Sequence, residues 1–322
     1  MSLIEAKDIV VRFHIRRGLR RISFNAVDDV DLEIEQGTIV GLLGESGSGK
    51  TTLGKVTLDL IKPTKGTVKF MGRDIRKMNK EEYMRYRINA QYIPQDPYAS
   101  IHPFKKVRDI LQEIVKYHGL AKNDKEAIEI ILDTMSKVGL NPPEKYLDKY
   151  PFQLSGGERQ RVSIARALIL KPKYIVADEP VTMLDASLKA GIVRTIRDAV
   201  ASMGTSLLFI THEITLLQYF GPQTKVLVMY LGKVVEQAPL KELLQNPLHP
   251  YTQALISAIP VADPKARATR KLILRGTPPS PLNKPPGCPL ADRCPFATER
   301  CFKEPPALKA ISPNHLVACH LY

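Results

Sequence analysis

Gly44-Glu45-Ser46-Gly47-Ser48-Gly49-Lys50-Thr51 is the stretch that decides the fold of this 322-residue chain. It follows Thr38 to Leu43, an apolar run that reads as a buried strand, and it leads into Thr51 to Leu60, which has helical spacing. In a strand, Gly-rich loop and helix of this kind, backbone N–H groups curl around phosphate oxygens and the helix N-terminus adds positive potential. Lys50 is placed to reach β- and γ-phosphates, and the Thr51 hydroxyl to ligate Mg²⁺. Gly44, Ser46, Gly47, Ser48, Gly49 and Thr52 make up the rest of the candidate cradle.

The acidic half of such a site lies far along the chain. Tyr174-Ile175-Val176-Ala177-Asp178-Glu179-Pro180 is an apolar strand that delivers two carboxylates to the edge where ligands bind in parallel α/β sheets. Asp178 is expected to hold Mg²⁺ through water, and Glu179 to polarise an attacking water. Ser206 to Thr211 is a second apolar strand, with the helix Ser187 to Met203 between the two. That alternation predicts a parallel sheet. Leu3 to Ile34 reads as short alternating strands joined by a basic turn. Lys225 to Gln237 reads as a hairpin, and Asp96 to Tyr150 as a helical insertion.

A second anion cradle is visible at Leu154-Ser155-Gly156-Gly157-Glu158, which opens a helix reaching Leu170. Ser155 and the N–H groups of Gly156 and Gly157 face a phosphate from a helix N-terminus. Two phosphate cradles so far apart in one chain need an explanation. This combination resembles the ATP-binding cassette (ABC) family, over about Leu3 to Gln245. The resemblance implies that two cassettes pack head to tail, each ATP lying between the phosphate loop of one and the signature run of the other.

The resemblance also assigns roles to residues that would otherwise be unremarkable. Gln95, in Tyr92-Ile93-Pro94-Gln95-Asp96, resembles the glutamine that senses Mg²⁺ and the γ-phosphate. His212 resembles the switch histidine, and Asp185 the aspartate that communicates across the dimer. Phe13 is the expected adenine-stacking residue, with Phe24 as the alternative. Two departures from the family pattern stand out: Thr182-Met183 precedes Leu184-Asp185 where Ser-Ala is common, and Glu213 follows His212 where Asp is common. Neither removes a catalytic group, so an active ATPase is expected.

Beyond Pro247 the chain becomes Pro-rich, as in Gly276-Thr277-Pro278-Pro279-Ser280-Pro281, and reads as an extended, irregular appendix. All four cysteines, Cys288, Cys294, Cys301 and Cys319, lie there, separated by five, six and seventeen residues. That is not the two-residue gap of zinc knuckles. Wide gaps, with proline directly after Cys288 and Cys294, suit a bulky iron–sulfur cluster; a zinc ion and unligated thiols remain open. Asn246 to Leu255, Gln95 to Ser100 and the cysteines resemble the oligopeptide/dipeptide-importer branch of the family, which implies an ATPase subunit powering uptake of such peptides or of a related solute such as oligosaccharides. In that branch such cysteines can hold a [4Fe–4S] cluster.

The expected architecture is therefore an α/β P-loop NTPase core with an antiparallel β subdomain and a helical subdomain (about 96–155). Residues 1–245 would form the ATPase domain and 246–322 the Pro/Cys-rich extension. The resemblance implies ATP, Mg²⁺, a second ATPase subunit (a related chain or another copy), two membrane permeases and, indirectly, a substrate-binding protein. No segment approaches the ~18 consecutive apolar residues of a bilayer span, and no secretory signal is seen. A peripheral place on the cytoplasmic face of the membrane is expected. The formal charge of +14 is spread along the chain. It keeps alive a rival class, a soluble cassette acting on ribosomes or nucleic acid, or in iron–sulfur assembly. One cassette with its cysteines at the C-terminal end argues against that rival, so no nucleic-acid partner is expected.

Overall fold

The computed structural model describes residues 2–18, 20–259, 272, 274–277, 279, 280, 282 and 284–322. Leu19 of the basic turn, and Pro278 and Pro281 of the Pro-rich run, lie outside the described residues. The chain forms two compact units. One holds Met1–Ile4, Glu33–Ile39 and Lys69–Ile210; the other holds Glu5–Leu32, Val40–Val68 and Thr211–Tyr322.

In the first unit, strands Ala90–Ile93, Tyr174–Asp178 and Ser206–Thr211 run parallel, with Ile93 opposite Ala177 and Asp178 opposite Ile210. Every residue of Tyr174–Asp178 is buried. An uninterrupted apolar run is what a parallel strand covered on both faces requires. The insertion is helical, with Val107–Tyr117 and Asp124–Lys137 as its long helices. Val107, Leu111 and Val115 form a buried stripe at four-residue spacing, each contributing roughly 1.5–3 kcal/mol by leaving water. Asn123 caps the second helix by accepting from Glu126 N–H. The helix Lys80–Asn89 was not legible in the sequence. It buries only Tyr86, so it has no apolar stripe, and an Asn79–Glu82 capping box secures its start.

In the second unit, Ile39–Leu43 pairs in parallel with Lys225–Tyr230, from Val40 opposite Lys225 to Leu43 opposite Val228. The hairpin Lys225–Tyr230/Lys233–Pro239 follows, with a bulge between Val234 and Glu236. The appendix departs from the irregular reading. Its helix Pro250–Ser257 is followed by strands Lys309–Ser312 and His315–Val317, and the latter adds to the hairpin with Glu236 opposite Val317. The N-terminal strands also differ from expectation. Ser2–Arg17 and Arg20–Glu35 are continuous and sixteen residues long. Each contains an aspartate in the left-handed region, Asp8 (φ 53°) and Asp29 (φ 59°), a polar interruption that reads as a strand end in sequence. Among the described residues, no helix is long and apolar enough to cross a membrane.

Candidate functional site

The phosphate loop belongs to the second unit. It leaves Ile39–Leu43 and enters the helix Lys50–Thr57. A Cβ on Gly44 would lie 2.2 Å from Met229 O, and one on Gly49 the same distance from Ala26 O. Both have positive φ, so only glycine fits. The helix has no side-chain cap and no acid in its first turn, so its N–H groups and dipole face outward unneutralised. Lys50 is 4% exposed and turns back to donate to Gly44 O (2.7 Å) and Glu45 O (2.9 Å). Ser48 Oγ is buried without a hydrogen-bond partner. Uncapped amides, a buried ammonium and an orphaned hydroxyl in one loop fit a polyphosphate.

His212 is in the same unit, 40% exposed at its side chain, with Nε2 3.7 Å from Glu213 Oε1. Phe13 and Phe24 also lie here, their ring centroids 6.0 Å apart at 49°. Phe13 is 36% exposed and so is not core packing. The two rings share one patch, and the geometry does not single out either for stacking.

The acidic pair lies in the first unit. Asp178 ends its strand 1% exposed and accepts from the Tyr92 hydroxyl at 2.7 Å. Burial, then the Asp178 charge and its hydrogen bond, raise the Tyr92 pKa far above the ordinary phenol value. Tyr92 therefore stays a donor to Asp178. Glu179 has φ 44°, an uncommon conformation for a residue with a Cβ. Its Oε2 accepts from Thr182 Oγ1 (3.0 Å) and Gln95 Nε2 (3.2 Å). Gln95, Asp178 and Glu179 are thus brought together. Tyr92 and Thr182 join them unforeseen. Thr182, noted only as a departure from the family pattern, keeps the hydroxyl of the common serine.

The signature run is in the same unit. Ser155 caps the helix Gly156–Leu168 in a capping box: Ser155 Oγ accepts from Glu158 N–H (3.3 Å), and Glu158 Oε2 from Ser155 N–H (2.8 Å). Arg159, buried and also unforeseen, donates to Pro151 O and Leu154 O and stacks its guanidinium 3.7 Å from the Tyr98 ring centroid. Those contacts fix the approach to the run. Added Cβ atoms at Gly156 and Gly157 would meet nothing closer than Leu184 at 3.6 Å and Leu188 at 3.5 Å. Packing within the chain thus leaves room for a methyl group at each. Asp185 directly precedes the helix Ala186–Met203 at its N-cap position and makes no side-chain cap.

The four cysteines line one hollow in the second unit, together with His249, Leu290 and Phe296 among others. All four are free thiols. A Cβ on Gly287 would lie 2.2 Å from Cys301 O, and Cys288 N–H donates to that oxygen at 2.7 Å. Glycine is what lets these two segments meet. Burial, with the charges of the other cysteines adding, pushes the Cys288 thiol up to about 11; the Leu290 amide works the other way. Burial likewise raises Cys294 and Cys319, against the amides of Phe296 and Leu321. Three sulfurs thus each face the amide two residues on. Thiols held up by burial and by one another become thiolates when a cationic centre neutralises them. Among the described residues, no group of three or more His, Cys, Asp or Glu stands in position to hold a single metal ion.

Two family models match. The ABC transporter model covers residues 27–182, and the model of the oligopeptide/dipeptide transporter C-terminal region covers 235–301. The chain is 40% identical to the oligopeptide transport ATP-binding protein AppF of Bacillus subtilis, over 100% of this chain and 98% of that one. It is 43% identical to a putative peptide import ATP-binding protein of Brucella ovis, over 93% of each. Identity to the oligopeptide transport ATP-binding protein OppF of Salmonella typhimurium is 39%, over 98% and 95%. Among solved structures, a dimeric post-hydrolysis state of the ATP-binding cassette MJ0796 bound to ADP and Pi is similar. Its TM-score is 0.63 at 28% identity, covering 74% of this chain and 98% of that one.

Proposed function

Because the chain belongs to the family of ABC transporter ATP-binding subunits, we propose that it hydrolyses ATP to power an importer of oligopeptides or dipeptides. The observation that carries this reading is one chain bearing two phosphate cradles, Gly44–Thr51 and Ser155–Gly157, with Gln95, Asp178 and Glu179 gathered at a strand end. The similarity to peptide-transport ATPases along the full length supplies the cargo class.

In this reading the loop amides and Lys50 hold the β- and γ-phosphates, and Thr51, Gln95 and Asp178 face Mg²⁺. Glu179 takes a proton from water as the water oxygen bonds to the γ-phosphorus. The bond to the β–γ bridging oxygen breaks, and ADP leaves with the electron pair. His212 donates to the γ-phosphate, and Phe13 or Phe24 stacks on adenine. Ser155, Gly156 and Gly157 serve the ATP of a second subunit, a related chain or another copy, and Asp185 reports across that interface. Residues 1–245 act as the ATPase, with 96–155 gripping membrane permeases on the cytoplasmic face; 246–322 form the extension.

With its sites shared between subunits, the purified chain should hydrolyse ATP slowly when dilute. Its rate per subunit should rise with concentration or on adding the partner ATPase. A rate per subunit that is the same at every dilution would overturn the shared site. An absence of hydrolysis under all these conditions would overturn the ATPase reading.

The four cysteines suit a [4Fe–4S] cluster. The sulfurs gathered around one hollow and the amides facing three of them support this reading. The cluster when bound would supply redox or structural chemistry; the chain would supply the four thiolates. Anaerobic purification should give a brown protein with about four iron and four acid-labile sulfide per chain. A colourless protein lacking both would refute the assignment.

A further inference from the structure

Glu45, the second residue of the phosphate loop, is held from outside the loop at both its backbone and its side chain. Its N–H donates to the hydroxyl of Tyr251 at 2.7 Å, and its Oε2 lies 3.2 Å from Nη1 of Arg293. The same Arg293 nitrogen donates to the Tyr230 hydroxyl at 3.2 Å. The Tyr230 and Tyr251 rings are 4.7 Å apart, and both are almost fully buried. Arg293 is therefore anchored on one side by a rigid aromatic pair and reaches the loop on the other.

The backbone of Arg293 is equally constrained. Its N–H donates to Leu290 O, and its carbonyl accepts from Arg275 N–H at 3.0 Å. The next residue is Cys294, in the wall of the cysteine hollow. A second tie runs in parallel: Lys284 Nζ donates to Asn25 O at 2.7 Å. The neighbouring Ala26 carbonyl is the atom that forbids a side chain on Gly49. Arg293 thus touches the start of the phosphate loop, and Lys284 holds the segment that packs against its end.

The charge relation gives these contacts a consequence. Glu45 brings a carboxylate into a loop whose other features suit a polyanion, and Lys50 rests on the Glu45 carbonyl at 2.9 Å. An unpaired carboxylate there would repel phosphate oxygens and leave the Lys50 anchor loose. Arg293 is 9% exposed at its side chain and Glu45 31%, so the pair is buried on the arginine side and half-buried on the other.

We infer that Arg293 is a positioning residue of the ATP site: from the C-terminal extension it neutralises and orients Glu45, and so sets the affinity of the phosphate loop for nucleotide. This rests on the ATPase reading. It adds that the extension is a working part of the nucleotide site.

Equilibrium binding of a fluorescent ATP analogue to the full chain tests it without relying on turnover. Arg293→Ala should weaken binding by about tenfold, within the roughly 5–150-fold range of coupling between sites. Arg293→Lys keeps the charge but loses the planar guanidinium that holds Nη1 between Glu45 and Tyr230, and should weaken it by about threefold. Adding Glu45→Gln to Arg293→Ala should bring affinity back to within about threefold of Glu45→Gln alone, since the charge to be neutralised is gone. Unchanged affinity in Arg293→Ala overturns the inference, as does a double variant as weak as Arg293→Ala. If Arg293→Ala does not fold, unchanged affinity in Arg293→Lys has the same force. A wild-type chain that binds no ATP would instead sink the ATPase reading.

Discussion

Replacing Glu179 by Gln should lower ATP turnover by roughly 10²–10⁴-fold, the scale for losing a general base, while ATP still binds. The geometry makes this a clean test. The substitution keeps the volume and an oxygen that can accept from Thr182 Oγ1, now at 3.0 Å, but it removes the lone pair that takes the proton from water. Thr182 and Gln95 converge on the same carboxylate oxygen, so the side chain is aimed before substrate arrives. Its positive φ of 44° adds a strained backbone that this network must hold in place. Burst-free steady-state hydrolysis and nucleotide retention, measured on the same preparation, separate chemistry from binding. Near-normal hydrolysis in Glu179→Gln would refute the base assignment.

The second large effect is on stability. Glu236 is 0% exposed and accepts from Leu248 N–H (2.8 Å) and His249 N–H (3.0 Å), while His315 Nε2 lies 2.7 Å from its Oε1. Its acceptor oxygens are thus shared among three groups from the start and the end of the extension. Burial pushes His249 down to about 3, so that ring is neutral at pH 7 and its Nδ1 accepts from Tyr251 N–H. Glu236→Ala leaves two buried amide N–H groups without acceptors, at roughly 1–3 kcal/mol each, for a loss of about 2–6 kcal/mol. Urea unfolding should register that loss, and limited proteolysis should find new cuts after residue 245. Glu236→Gln should also destabilise, because its amide nitrogen must face an N–H donor at either position. Stability within 0.5 kcal/mol of wild type, the ordinary scatter for surface substitutions, would show that the carboxylate is not the fastening point.

The parts of the site legible in the sequence are those whose chemistry is local. Gly44–Thr51, Ser155–Glu158 and Asp178–Glu179 depend on neighbours a few residues away, so their spacing carries their geometry. Strands Tyr174–Asp178 and Ser206–Thr211 were legible because full burial leaves unbroken apolar runs. Tyr92 was not, since only its pairing opposite Val176 brings it to Asp178. Arg293 and Glu236 act across 248 and 79 residues of chain, and nothing in their surroundings marks the partner. The extension looked irregular because its strand His315–Val317 completes a hairpin begun some eighty positions earlier, with Glu236 opposite Val317. The expected choice of Phe13 over Phe24 finds no decision in the structure, where the two rings lie side by side.

Gly156 and Gly157 carry a different lesson. Each could take on a methyl group without collision inside its own chain, and alanine is the better helix former. A survey of mutants scored on expression or melting temperature would therefore rank both positions as tolerant, even improvable. Any intolerance must come from a second molecule approaching that helix end, and it becomes visible only when variants are scored in the assembled transporter. For this chain, stability maps and activity maps should disagree most sharply at these two residues.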